Sequence, residues 1–238
     1  MIEINCQIFL NQYLDKDIVC NNDKEFKNTM LILETRLSLN LILVIKNALH
    51  KLPNFNLMVL SNKSTLNHLE SIFGKIKYKG ELSKSKINPV EVSKILRDPE
   101  LWKKIPGEKV LFFQTDTIFL RSIAENEYQN ISMLGPVCVD FKNEDKFVIN
   151  GGFSLRDKNL MIELSQNKII TSPIEDYFFT EQIRKNYPEL MPTLQDCNNF
   201  AIESMGNKMT AKGIHGTDKY YVSNKFYNEL FATLKLNS

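Results

Sequence analysis

Four short stretches of this 238-residue chain combine residue types able to do chemistry. The first is Asp116, placed directly behind the apolar run Lys109-Val110-Leu111-Phe112-Phe113 and the polar Gln114-Thr115. An acid there has no core role, because burying it unpaired costs several kcal/mol or forces it neutral. Alone it reads as a turn or N-cap residue; its company shifts it toward a ligand site. The second stretch, Asn150-Gly151-Gly152-Phe153-Ser154-Leu155-Arg156, spends two of nine glycines side by side. Such a pair lets backbone approach a ligand with no Cβ in the way, or makes a hairpin turn, for which Asn-Gly is a common dipeptide. The two readings stand even. The third, Glu175-Asp176, follows Pro173 and opens an aromatic-rich helical stretch. First-turn acids complement a helix dipole; a carboxylate at the base of a cleft can instead accept a proton from a hydroxyl nucleophile. The fourth is His215, flanked by Gly213 and Gly216, as in a loop that bends over a ligand and presents an imidazole. Lys212 and Lys219 lie close enough in sequence to reach a diphosphate, while His50 and His68 fall in helical segments and carry no role.

The elements that must position these residues follow from hydrophobic spacing. Residues 29–33 and 56–60 are continuous apolar runs, as strands buried on both faces should be. Both end in polar residues, Glu34-Thr35-Arg36 and Ser61-Asn62. Helical spacing covers 39–52, closed by Pro53, and 66–73; a third strand is expected at 75–78. Residues 89–102 are helical with a break at Pro99, and 109–113 is the most hydrophobic short run. Strands alternating with helices imply right-handed crossovers and a mostly parallel sheet covered by helices, with ligand loops at the carboxyl ends of the strands. The second half is mixed: strands at 132–135 and 200–203, an extended segment 147–155 broken by the glycine pair, and helices at 160–167 and 175–187. Residues 1–27 read as an N-terminal extension with a short strand at 2–9, and 28–238 as one domain.

Composition excludes several classes. Hydrophobic residues make up 43% of the chain, and Lys+Arg 30 against Asp+Glu 28 leaves a net charge of +2. Global disorder is therefore excluded, and no field draws the chain to nucleic acid or an anionic membrane. Four scattered cysteines make neither a zinc ribbon nor a disulfide framework. Residues 30–49 contain Glu34, Arg36, Asn40, Lys46 and Asn47 and cannot form a bilayer span. With no signal-peptide pattern at the start, the expectation is a soluble, cytoplasmic protein. Neither GxGxxG after the first strand nor GxxxxGK[ST] occurs, so dinucleotide and P-loop readings fail on their own motifs. Arginine occurs only at Arg36, Arg97, Arg121, Arg156 and Arg184, which makes each one informative.

The ordered set KVLFFQTDT (109–117), NGGFSLR (150–156), EDYFF (175–179) and GIHG (213–216), with LILETR at 31–36 and Leu101-Trp102, resembles a glycosyltransferase-like family catalogued as a domain of unknown function. Its members look like GT-A-fold enzymes. The resemblance implies an α/β fold with a single GT-A-like domain, a Rossmann-like N-terminal half and a mixed, acceptor-side C-terminal half. It implies a divalent metal, Mn2+ or Mg2+, held by Asp116 and His215 against the phosphates of a UDP- or GDP-type sugar donor. Gln114 departs from the usual Asp-x-Asp pattern; its neutral amide would contact ribose, or the metal through water. Glu34, Thr35, Arg36, Ser61, Gln114, Thr115 and Lys212 would contact the nucleotide; Asn150, Gly151, Gly152 and Glu175 would face donor sugar and acceptor. Asp176 would be the general base for a glycan or other hydroxyl acceptor, giving inversion.

Two other classes compete. A non-catalytic sugar- or nucleotide-binding protein of the same fold would explain Gln114. A metal-dependent phosphoesterase or nucleotidyltransferase also uses Asp, His and metal, but calls for more acids around Asp116 than the sequence places there.

Overall fold

The computed structural model describes residues 4–21, 24–138, 147–167, 172–203, 205–217 and 229–232. Lys219 lies outside the described residues, as do Ile2 and Glu3. The first element is a helix, α1 (Ile4–Asn11), where a strand over 2–9 was expected. Cys6, Leu10 and Tyr13, spaced as one helical face, bury against Leu43 and Ile118, whereas Ile8 is exposed.

β1 (Asn28–Leu33) and β2 (Phe55–Ser61) are buried along their whole lengths. Between them runs α2 (Leu39–Lys51), capped by Ser38, whose Oγ accepts from the Leu41 amide at 3.2 Å. α3 (Lys63–Phe73) starts on an Asn62 cap and stops at Gly74, whose φ of 74° is the left-handed conformation that glycine adopts freely. β3 (Tyr78–Glu81) lies slightly beyond the expected 75–78 and alternates between half-buried and exposed residues, as an edge strand does. α4 (Pro89–Leu96) carries a capping box made by Asn88 and Glu91, and α5 (Pro99–Lys104) restarts behind Asp98, so Pro99 marks a true break.

β4 (Lys109–Phe113) completes a parallel set in the order β3-β2-β1-β4, with Met30 paired to both Leu57 and Leu111. Short strands β5 (Ile118–Phe119), β6 (Met133–Leu134), β7 (Val137–Cys138) and β8 (Val148–Ile149) lead to β9 (Phe153–Asp157). β9 pairs antiparallel with β4, and β6 with β9, extending the sheet to six strands. α6 (Lys158–Ser165), α7 (Glu175–Asn186) and α8 (Leu194–Phe200) follow. β10 (Ala201–Ile202) and β11 (Gly213–Ile214) join β5 in a separate sheet. Residues 213–216, expected as a loop, thus begin with a strand, and Gly213 packs where a Cβ would lie 2.5 Å from the Phe153 ring.

The architecture is α/β, with a mostly parallel central sheet flanked by helices. Strand order runs outward in one direction through β2 and β3 and in the other through β4, so it reverses between β1 and β4. A crevice forms at such a reversal, outside the carboxyl ends of the strands. Among the described residues, no helix is long and apolar enough to cross a membrane.

Candidate active site

Behind β4 the chain turns tightly: the Thr117 amide donates to Gln114 O (3.2 Å), and the Gln114 amide donates across to Gly152 O (3.0 Å). The turn leads into β5, which pairs antiparallel with β11 through Ile118 and Ile214. That pairing brings His215 beside Asp116, about a hundred residues away in sequence, and Thr217 locks the junction by donating its amide (3.1 Å) and hydroxyl (3.0 Å) to Asp116 O. His215 is buried. Its Nε2 lies 3.2 Å from Gln114 Oε1 and 3.6 Å from Asp116 Oδ1. Its Nδ1 has no hydrogen-bond partner and faces Glu203 Oε1 at 3.5 Å.

A proton on Nδ1, the side of the Glu203 carboxylate, leaves the Nε2 lone pair directed at two oxygens. Three electron-rich atoms then converge, an arrangement that a cation relieves. Two neighbouring ligands about 2.1 Å from an octahedral ion sit about 3.0 Å apart; Gln114 Oε1 stands near that spacing from Nε2, and Asp116 Oδ1 stands wider. Gln114 Oε1, Asp116 Oδ1 and His215 Nε2 therefore fit Mn2+ or Mg2+. One carboxylate, one imidazole and one amide oxygen are three of the ligands such an ion could take. Among the described residues, no group of three or more His, Cys, Asp or Glu side chains is arranged to hold a metal by itself.

The acidic pair sits across the glycine turn. The Gly151 amide donates to Asp176 Oδ1 (2.9 Å) and the Gly152 amide to Asn150 Oδ1 (2.8 Å). Glu175 is turned inward, where both its oxygens accept from Arg156, Nη1 to Oε2 at 2.7 Å and Nη2 to Oε1 at 3.0 Å. Burial works to raise the Glu175 pKa, but the guanidinium outweighs it and holds the carboxyl below its ordinary value. Asp176 is driven the other way: burial, and then the charge of Glu175 beside it, push its carboxyl well above the usual aspartate value.

One cleft of about 710 Å3 joins these parts at the strand reversal. Glu34 and Arg36 from the end of β1, Gln114, Thr115 and Asp116 from the end of β4, Asn150, Gly152, Glu175, Asp176 and His215 all line it. Arg36 is pinned flat by Glu34 through Nε (3.0 Å) and Nη2 (2.8 Å). Of the other residues expected at the site, Ser61 is buried and donates its hydroxyl to Glu34 O at 2.5 Å. Thr35 is buried and accepts, through its carbonyl, from Asn62 Nδ2 (2.5 Å) and Thr65 Oγ1 (3.0 Å). Both brace the β1 end from behind rather than lining the cleft. Gly151 likewise backs the cleft through its bond to Asp176. Lys212 is not brought to the cleft: its ammonium is taken by Glu127 Oε1 (2.6 Å) and Ser122 O (3.2 Å).

Sequence reasoning assigned no role to Arg156, although the scarcity of arginine and its place in the glycine motif were a signal. Glu203 gave no signal at all; only the pairing of β10 with β11 brings it to His215. In the wall from Lys86 to Ser93, around the start of α4, the sequence marks 89–93 only as helix and gives 86–88 no role.

The sequence from residue 82 to residue 215, more than half of the chain, matches the family described as Protein of unknown function (DUF5672). The chain belongs to that family. Every DUF5672 residue from Gln114 to His215 discussed above falls inside the match, while Glu34, Arg36 and Ser61 precede it. The resemblance at 31–36 is therefore not part of the matched span. No curated protein matches the DUF5672 chain. Two solved structures share its general shape. One is a mannosyltransferase from Pyrobaculum calidifontis in complex with GDP-Man and Mn2+, at 10% identity and TM-score 0.46, covering 74% of this chain and 57% of that chain. The other is a putative glucose-1-phosphate thymidylyltransferase from Bacillus anthracis in complex with a sucrose, at 10% identity and TM-score 0.44, covering 67% of this chain and 84% of that chain. The chain thus spans less than two thirds of the mannosyltransferase. Likenesses at this level do not bear on activity.

Proposed function

We propose that this protein is a metal-dependent glycosyltransferase that moves a sugar from a UDP- or GDP-type donor to a hydroxyl acceptor, with inversion. The observation that carries the reading is the meeting of two unlike sets of groups in one cleft at the strand reversal: Gln114, Asp116 and His215 on one side, Asp176 on the other. The first set suits a divalent ion and a diphosphate, and the second suits proton removal. Glu34 and the pinned guanidinium of Arg36, with Thr115, would frame the nucleoside. Asn150 and Gly152 would border the sugar, which the bare α-carbon of Gly152 lets close to His215.

In the transfer, the bond from the anomeric carbon to the diphosphate oxygen breaks, and its electron pair leaves with the diphosphate. The acceptor oxygen bonds the opposite face of that carbon through an oxocarbenium-like transition state, and the acceptor's proton passes to Asp176. A bound divalent ion would supply charge compensation for the leaving diphosphate. Asp176, oriented by the Gly151 amide, must be ionised to take the proton; its raised pKa makes it a stronger base than an ordinary aspartate once ionised. Glu175, with both oxygens on Arg156, contributes fixed charge, and its remaining lone pairs are what it can offer a sugar hydroxyl.

One observation favours a second reading. Gln114 brings no charge to the metal side, as in a protein that binds sugar or nucleotide without turnover. A thermal-shift panel of nucleoside diphosphates with and without Mn2+ tests both, since a ligand at 100 times its dissociation constant stabilises by about 2.7 kcal/mol. Synergy between Mn2+ and one nucleotide, with release of diphosphate from the matching sugar nucleotide, supports the transferase. Synergy without release supports the binding protein, and no response to any pair removes both.

A further inference from the structure

Of the Lys or Arg pairs with carboxylates among the described residues, Arg156–Glu175 is the one withdrawn from water on both sides, at 0% and 6% side-chain exposure. Burying two charges is expensive, and apolar side chains of similar volume often serve stability as well or better. The geometry shows what else the pair does. Besides its two bonds to Glu175, Arg156 donates Nε to Ser154 Oγ (2.8 Å) and Nη2 to Gly151 O (3.4 Å). The rings of Trp102, Phe112 and Phe179 enclose its guanidinium at 5.8, 5.7 and 5.5 Å. Around the α-carbon of Gly151, a Cβ would meet Glu175 Oε1 at 2.1 Å, Arg156 Nη2 at 2.4 Å and Asp176 Oδ1 at 2.4 Å. Two carboxylates and one guanidinium therefore crowd a single point.

We propose that Arg156 is a positioning residue that fixes Glu175 as the ionised member of the acidic pair, so that the exchangeable proton resides on Asp176, the less buried of the two. This rests on the glycosyltransferase reading for its use, not for its measurement. Adjacent buried carboxylates resist ionising together, and whichever is better paired with a cation stays charged. Arg156 from β9 holds Glu175 by a planar two-point grip that Asp176 does not receive. The other groups facing the pair are Arg97, at the end of α4 and 5.8 Å over the Phe178 ring, the Gly151 amide on Asp176, and, around the same cleft, Asp116, His215, Glu34, Arg36, Lys86 and Glu91. Arg97 acts on Glu175 in the same sense as Arg156. The opposite displacements of the two carboxyl pKa values agree with this division. Arg156 itself is fully buried and does not line the cleft.

The test is a carboxyl 13C NMR titration of the whole chain without ligand, with the Asp176 resonance assigned by its loss in Asp176→Asn. In the unaltered protein, Asp176 should titrate above the ordinary carboxylate range and Glu175 only after it, at lower pH. In the double variant Arg156→Met/Glu175→Gln, which leaves no buried charge alone and still fills the aromatic box, the Asp176 midpoint should move down. In Arg156→Met alone, Glu175 should take up its proton first. An Asp176 midpoint unmoved in the double variant, or Glu175 protonating before Asp176 in the unaltered protein, overturns the proposal. A failed transfer assay with these titrations intact removes the glycosyltransferase reading and leaves the division of protons standing.

Discussion

Gly152 lies so close to the His215 imidazole that a methyl group on its α-carbon would sit 2.0 Å from Nε2. No smaller residue exists, so any side chain at position 152 must displace the ring that faces Gln114 and Asp116. The glycine pair is thus both a turn and part of the site: its bare surfaces are what the imidazole and the carboxylates pack against.

Gly152→Ala is expected to weaken Mn2+-dependent nucleotide binding about 10- to 100-fold, the usual effect of disturbing a ligand's support. Overpacking should also cost the fold about 1–3 kcal/mol. Calorimetric titration and urea unfolding measure the two separately. Unchanged affinity would take His215 out of the binding site.

Gln114→Asp should do the reverse. It replaces a neutral oxygen 3.2 Å from Nε2 with a charged one, and Mn2+ affinity should rise about tenfold, or 1.4 kcal/mol. Titration followed by Mn2+ electron paramagnetic resonance would show it. Asp116→Ala and His215→Ala should each abolish the metal dependence, and its survival in both would place the ion elsewhere.

Asp176→Asn should lower sugar transfer by about 10²- to 10⁴-fold, the range for loss of a general base, while donor affinity stays nearly intact. Full activity in this variant would end the assignment of the base.

The same substitution should stabilise the fold at neutral pH. A carboxyl whose folded pKa is raised contributes stability that is fully present below its unfolded value, about 3.9, and is lost as pH rises through the folded one. The Asp176 carboxyl is therefore a burden on the fold at pH 7. Asparagine removes it while still accepting from the Gly151 amide, so the urea midpoint should rise at pH 7 and the gain should disappear in acid. Glu175 has the opposite sign: its stabilisation is present above about pH 4.3 and is lost as pH falls through its lowered folded value. A midpoint for Asp176→Asn that is unchanged at pH 7 would contradict the raised value.

Much of the fold is written in continuous apolar runs. β1, β2 and β4 are buried on both faces, which gives them an unbroken hydrophobic signature and makes the polar residues behind them stand out. That is why Glu34, Arg36 and Asp116 could be placed at the strand ends. The N-terminal helix misled because Ile2, Ile4, Cys6 and Ile8 alternate with polar residues as in a strand. The face that packs is Cys6, Leu10 and Tyr13, a helical repeat hidden under that alternation. Lys212 lies three residues from His215, yet strand geometry sends its ammonium to Glu127. Glu203 and Arg156 act through partners 12 and 19 residues away, and only tertiary packing makes those pairs visible.

The turn at 151–152 also sets a length. The α-carbon of Gly151 bears on the Asp176 carboxylate, and that of Gly152 bears on the His215 ring. Consecutive α-carbons across a trans peptide are held about 3.8 Å apart, and that spacing does not stretch. One planar peptide unit is thus a ruler laid between the group that would receive the acceptor's proton and the group that would face the departing diphosphate. Whatever the surrounding loops do, the Asp176 carboxylate and the His215 ring stay in register.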